Sequence, residues 1–365
     1  MKIVVLGTRG FPKVQGGIET HCENLYPRLV NLGCEVIVIS RAPYVGEKEY
    51  VYKGVTIRPT TCPKQKFLET FIHTRNGVRE AKRLNPDIVH IHAVGPSLFV
   101  PAIKRLGIKV VMTHHGPDYN RAKWNMLAKA VLRKGEENGC RNADAVISIS
   151  REIAGSIEKK FGRKTEVIPN GVVIPERLRT DAALKSYGLE KGRYILAVGR
   201  FVPEKGLHDL IKATVPEGWK LVIAGKADHE DRYSRELKEA AGKNENIVLT
   251  GFITGIPLQE LYSHAGLFVL PSYYEGLPIV LLEAMSYGLS CVVSDIPANR
   301  EVALADGRYF KAGDIAGMSA KIREYAEKPM SEEEKSRQIQ VIREKYDWDN
   351  IARETLEVYK KVISS

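Results

Sequence analysis

No apolar run in this chain approaches the roughly 20 residues that a membrane-spanning helix requires, so it is not expected to cross a bilayer. Cysteine is sparse and unpatterned: Cys22, Cys34, Cys62, Cys140 and Cys291 are odd in number and form no CxxC pair, which argues against a disulfide framework or a thiolate zinc site. Met1 to Gly7 carries one basic residue and is too short for a signal-peptide core, so a cytoplasmic protein is expected. There is no GxGxxG after the first strand-like run. Ser40-Arg41 stands where a dinucleotide-binding fold needs an acidic residue for the ribose, which disfavours a dehydrogenase. A recognisable nucleic-acid module is missing too, and so is any basic motif interleaved with aromatics; no nucleic-acid partner is expected.

What is present is length, alternation and uneven charge. At 365 residues the chain exceeds what one hydrophobic core usually organises. Strand-like apolar runs alternate with amphipathic helical segments, the pattern of parallel sheets with crossover helices. The expected strands of the first half are residues 3–6, 35–40, 88–92, 109–113, 145–148 and 166–168. Pro169-Asn170-Gly171 is a turn signal and 172–176 reads as a linker. The alternation then restarts with strands at 194–198, 220–224, 247–249, 267–270 and 290–294. The α/β expectation is therefore two Rossmann-like, doubly wound domains, 1–172 and 177–347. An amphipathic helix over 348–365 carries Ile351, Leu356, Val358, Tyr359 and Val362 at helical spacing. Residues 1–172 contain 28 Lys and Arg against 15 Asp and Glu, a formal +13, whereas the remainder is −2. The basic first half is expected to face an anionic surface, substrate or polymer.

In open α/β sheets ligands bind beyond the carboxyl ends of the strands, and in a two-domain chain that means the crevice between the sheets. Four post-strand loops stand out. Gly16-Gly17 opens a helix, where bare backbone N–H groups and the helix dipole suit phosphate, although a flexible turn reads the same way. His90, His92, His114 and His115 close two consecutive strands. A metal cluster is conceivable there, but alternate imidazoles on an interior strand more often make local hydrogen bonds, so no metal is expected. Arg200 and Lys205 leave the strand end at 194–198 and can converge on a diphosphate, or be ordinary surface cations. Glu275 and Glu283 lie eight residues apart. A helix starting near Pro278 leaves Glu275 on the loop and places Glu283 about one turn inside, among apolar neighbours, where a carboxylate needs hydroxyl or cationic partners.

Taken together, Gly16-Gly17, Thr113-His114-His115-Gly116, Ile168-Pro169-Asn170-Gly171, Gly199-Arg200 with Lys205-Gly206, Gly251-Phe252, and Pro271 to Gly288 with its E-x7-E spacing resemble the retaining, family-4 type glycosyltransferases of the GT-B fold over nearly the whole chain. The resemblance implies that Arg200 and Lys205 hold a donor diphosphate and that Glu283 holds the ribose. It implies that Glu275 and the backbone at Gly276, Leu277 and Pro278 hold the transferred sugar, that Gly16 and Gly17 approach donor phosphates or acceptor, and that His115 is the active-site histidine. It further implies front-face transfer without a cofactor or divalent ion, from a nucleotide-diphosphate sugar that is expected to be a UDP-sugar. The opening loop from Thr8 to His21 resembles a bacterial exopolysaccharide and capsule subgroup. The expected acceptor is accordingly a saccharide on a lipid carrier, with the basic half on an anionic membrane face. The alternatives are a soluble sugar or sugar phosphate as acceptor, and a non-catalytic sugar-nucleotide-binding protein. Asp347-Trp348-Asp349 forms a DxD triplet, but it precedes the terminal helix, so capping is expected in place of metal binding.

Overall fold

The computed structural model describes residues 1–365 apart from Lys64, Lys66, Phe67, 121–124 and His229. It divides into two units, Met1–Gly171 with Trp348–Ser365, and Val172–Asp347. The division falls at the start of the expected linker.

In the first unit eight strands run β1 (Lys2–Leu6), β2 (Glu35–Arg41), β3 (Tyr50–Tyr52), β4 (Val55–Thr60), β5 (Ile88–His92), β6 (Lys109–His114), β7 (Ala145–Ser148) and β8 (Glu166–Val167). Their spatial order is β3-β4-β2-β1-β5-β6-β7-β8, and only β3 is antiparallel to its neighbour. Four central strands, β1, β2, β5 and β6, are built mainly from β-branched residues, and β5 is buried along its whole length, the composition of strands covered on both faces. The helix Gly17–Asn31 presents Cys22, Leu25, Tyr26 and Leu29 to this sheet at helical spacing. The helix Trp348–Ser364 joins the same core through Trp348, Ile351, Ala352, Tyr359 and Val362.

The second unit has β9 (Tyr194–Val198), β10 (Lys220–Ala224), β11 (Ile247–Gly251), β12 (Leu267–Leu270), β13 (Cys291–Ser294) and β14 (Tyr309–Phe310), all parallel, in the order β11-β10-β9-β12-β13-β14. Both units are thus Rossmann-like α/β layers. β3, β4 and β14 were not anticipated. β4 carries Arg58 and Pro59, which interrupt the apolar pattern, and β3 and β14 are three and two residues long, below the length at which periodicity is readable. Within the Asp347-Trp348-Asp349 triplet, Asp349 pairs with Arg28 at 2.6 Å, and Trp348 is buried against the His21 ring.

The terminal helix is a structural member of the first unit. Trp348→Ala is expected to lower the unfolding free energy by about 3–5 kcal/mol, the usual cost of emptying a large buried aromatic site; a loss under about 1 kcal/mol in urea unfolding would mean that the helix does not support that core.

Candidate functional site

In the second unit the loops after β9 and β12 meet. β9 and β12 are adjacent strands, so their carboxyl ends emerge side by side. Gly206, at φ +65°, lies so close to Pro271 that a Cβ would stand 2.1 Å from its carbonyl oxygen. Only glycine allows both that backbone angle and that approach. The tight passage carries Lys205 to Glu275, where Nζ and Oε1 are 2.6 Å apart, and Ser272 donates its hydroxyl to the same carboxylate oxygen at 2.7 Å. Both ion-pair partners are largely covered, at 17% and 10% side-chain exposure, so this contact is screened less than a surface pair.

Arg200 and Glu283 take other partners. Arg200 donates to Asp228 at 2.8 Å. The helix Ile279–Ser286 starts directly after Pro278, leaving Gly276, Leu277 and Pro278 as the turn that leads into its N-terminus, and Glu283 lies one turn inside as the spacing predicted. Its Oε2 accepts from the hydroxyl of buried Tyr262 at 2.9 Å, and Tyr262 stacks on Tyr287. Burial among Leu281, Leu282, Ala284 and these rings pushes the Glu283 carboxyl up to about 7, the Tyr262 hydrogen bond opposing only part of the shift. Tyr262 and Asp228 escaped sequence reasoning, because they lie 21 and 28 residues from the side chains they bind, at separations no local motif spans. Ser272 is local, three residues before Glu275, but no spacing singles it out as that carboxylate's donor.

In the first unit Gly16 and Gly17 have different surroundings. A Cβ on Gly16 would stand 2.0 Å from Glu19 Oε2, so a carboxylate of the chain itself is folded back against the helix start. Glu19 accepts from the Arg9 backbone N–H at 3.0 Å and pairs with the Arg9 guanidinium at 3.2 Å. Burial alone would raise its carboxyl, yet Arg9 holds it below the usual range. The negative charge favoured at this helix N-terminus is therefore already supplied, and only Gly17 faces open space.

The four strand-end histidines separate into structural and clustered members. His114 is buried and bonded to Glu136 at 3.1 Å. His90 is held by Tyr359 at Nδ1 and by Thr113 at Nε2, the local bonding expected of an interior strand. His92 and the partly exposed His115 meet at 2.9 Å through Nδ1 and Nε2, and His21 from the helix Gly17–Asn31 completes a trio with ring centroids 5.0 to 5.5 Å from the other two. Burial and the neighbouring imidazoles hold His92 and His115 well below the ordinary histidine value, and burial takes His21 down to about 4, so all three are neutral near pH 7.

Residues 180–345 match the family of glycosyl transferases group 1, and residues 15–174 match glycosyltransferase family 4. An uncharacterised glycosyltransferase from Methanocaldococcus jannaschii is 29% identical over 99% of this chain and 98% of its own. A glycogen synthase from Mycobacterium tuberculosis is 27% identical over 98% and 94%. Among solved structures, sucrose-phosphate synthase from Thermosynechococcus elongatus superposes with a TM-score of 0.85 at 19% identity over 100% of this chain and 99% of its own. Anabaena HepE, solved with UDP and glucose, superposes at 0.79 and 17% identity, with 99% and 100% covered. The protein is thus a glycosyltransferase enzyme with the GT-B fold. Its two family matches, one on each unit, make it a glycosyltransferase of the family 4 type.

The raised Glu283 carboxyl makes stability depend on pH. A carboxyl whose value is higher folded than unfolded favours the protonated form in the fold. Its contribution is complete below the unfolded value near 4.5 and is lost as pH rises through about 7. Glu283→Gln removes that loss, so the variant should gain on the wild type between pH 5 and 8 by up to about 3 kcal/mol, an upper figure given the partial exposure of the site. Parallel chemical unfolding curves across that range would contradict a raised carboxyl.

Proposed function

We propose that the enzyme transfers a sugar from a nucleotide diphosphate, in the first instance UDP, to a saccharide acceptor with retention of configuration. The observation that carries the reading is the Lys205–Glu275 contact at the ends of β9 and β12, with Arg200 following β9 and Glu283 inside the helix after β12. Lys205 and Arg200 would neutralise the diphosphate leaving group, a task for which cations already fixed by Glu275 and Asp228 are suited because they need little reorganisation. Ribose hydroxyls would donate to Glu283 and thereby favour its ionised form. Glu275, with the turn at Gly276, Leu277 and Pro278, would receive the sugar, and His115, with its neutral imidazole, would be the active-site histidine. Gly16 and Gly17 would approach the donor phosphates or the acceptor, with Gly17 facing open space and Gly16 backed by Glu19. The leaving diphosphate would itself take the acceptor proton, so no cofactor or metal ion is required.

The acceptor is assigned to a lipid-carried saccharide of bacterial surface polysaccharide synthesis, on the strength of the basic first half. Lys and Arg near an anionic bilayer contribute roughly 1 kcal/mol each, which would keep the enzyme on the inner membrane face. No helix among the described residues is long and apolar enough to cross a membrane. A soluble sugar or sugar phosphate is the second reading, favoured by the names of relatives such as glycogen synthase and alpha-maltose-1-phosphate synthase.

A thermal-shift screen over UDP-, GDP- and dTDP-sugars should single out UDP donors, since a ligand at a hundred times its Kd stabilises the fold by about 2.7 kcal/mol. Glu275→Ala should keep UDP affinity within a few-fold while donor turnover falls at least a hundredfold; full turnover in that variant would remove Glu275 from the reaction. Flotation with anionic liposomes, abolished by charge reversal on the first unit, separates the two acceptor readings: no flotation of the wild type favours the soluble acceptor.

A further inference from the structure

His21, His92 and His115 each have a ring nitrogen within 4.8 Å of those of the other two. These residues come from the helix Gly17–Asn31, the end of β5 and the loop after β6. No spacing in the sequence announces them as a set, and donor binding as read above uses only His115.

The hydrogen bonds around the trio fix which nitrogens carry lone pairs. His21 Nδ1 lies 3.0 Å from Asn170 Oδ1, an acceptor only, so Nδ1 carries the proton and Nε2 is a bare lone pair. That Nε2 is buried and has no hydrogen-bond partner, in a residue only 3% exposed. An unsatisfied buried acceptor is costly, and such atoms in a folded protein call for a physical reason. His92 can hold its proton on Nε2, facing the Tyr26 hydroxyl, which leaves Nδ1 directed at His115 Nε2. Second-layer partners of this kind, an amide oxygen on one ring and a hydroxyl on another, are what orient imidazoles that ligate metals.

We propose that His21 Nε2, His92 Nδ1 and His115 Nε2 form a three-imidazole site for a divalent transition ion of the zinc type, with water in the fourth position. Zinc–nitrogen bonds of about 2.0–2.1 Å in tetrahedral geometry separate ligand nitrogens by roughly 3.3 Å. The 2.9 Å contact between His92 and His115 must therefore open slightly while His21 closes in, and the partial exposure of His115 leaves room for that adjustment. Neutral nitrogen donors without a carboxylate or thiolate select borderline ions such as Zn²⁺ or Co²⁺ over Mg²⁺ or Ca²⁺. Occupancy ties up the imidazole of His115, so the ion acts as an inhibitor of transfer and not as a cofactor. That consequence, unlike the binding itself, rests on the role proposed for His115.

Co²⁺ titrated into chelator-stripped full-length protein should bind at one equivalent and give the intense visible absorption of a four-coordinate nitrogen site, which Zn²⁺ then abolishes. His115→Ala and His21→Ala should each weaken binding at least tenfold, whereas His73→Gln, a buried histidine outside the trio, should not. Circular dichroism and Tm show which variants remain folded, and His115, the partly exposed member, is the safer substitution. Only weak octahedral absorption in the wild type, or a band unchanged in folded His115→Ala, would overturn the site. One equivalent of Zn²⁺ should also slow sugar transfer at least tenfold with UDP affinity unchanged. Tight binding without inhibition would overturn the inhibitory role and remove His115 from the reaction, while UDP affinity lost under Zn²⁺ would overturn the assignment of the ion to the first unit alone.

Discussion

A cation and a carboxylate held together at two adjacent strand ends organise the second unit. Lys205 reaches Glu275 because β9 and β12 are neighbours in the sheet and because Gly206 allows the intervening backbone to pass under Pro271. The pair is mostly covered, so separating it without a substitute partner would leave a charge poorly solvated. A diphospho-sugar offers such substitutes on both sides: anionic oxygens for the lysine and hydroxyls for the carboxylate. On the proposed reading, the contact would be a placeholder that keeps both groups positioned until a donor arrives.

The same economy recurs elsewhere. Arg200 waits on Asp228 and Glu283 on Tyr262, each a partner that a ligand group could replace. In the first unit Arg9 and Glu19 play a different part. Their pairing places internal charge against the helix start at Gly16. At the imidazole trio burial leaves a lone pair without a partner, at His21 Nε2.

Much of this was legible in the residues. The long strands of both sheets could be read because β-branched runs of four or more residues bounded by turn signals seldom form anything but buried strands, and the terminal helix could be read from its Trp348-to-Val362 spacing. Glu283 inside a helix after Pro278 followed from counting. β3, β4 and β14 were missed because they are too short or are broken by Arg58 and Pro59. The partners were missed because they are non-local: Tyr262 is 21 residues from Glu283, Asp228 is 28 from Arg200 and Asn170 is 149 from His21. Spacing can nominate a charged residue on a post-strand loop, but only the folded sheet decides which side chain answers it.

The most direct measurement is a crystal structure of the enzyme with UDP bound. The diphosphate is expected against Arg200 and Lys205, with the Lys205–Glu275 contact loosened, and the ribose hydroxyls on Glu283. UDP bound away from these four residues, or bound with Lys205 still closed on Glu275 and Glu283 touching nothing but Tyr262, would contradict that arrangement.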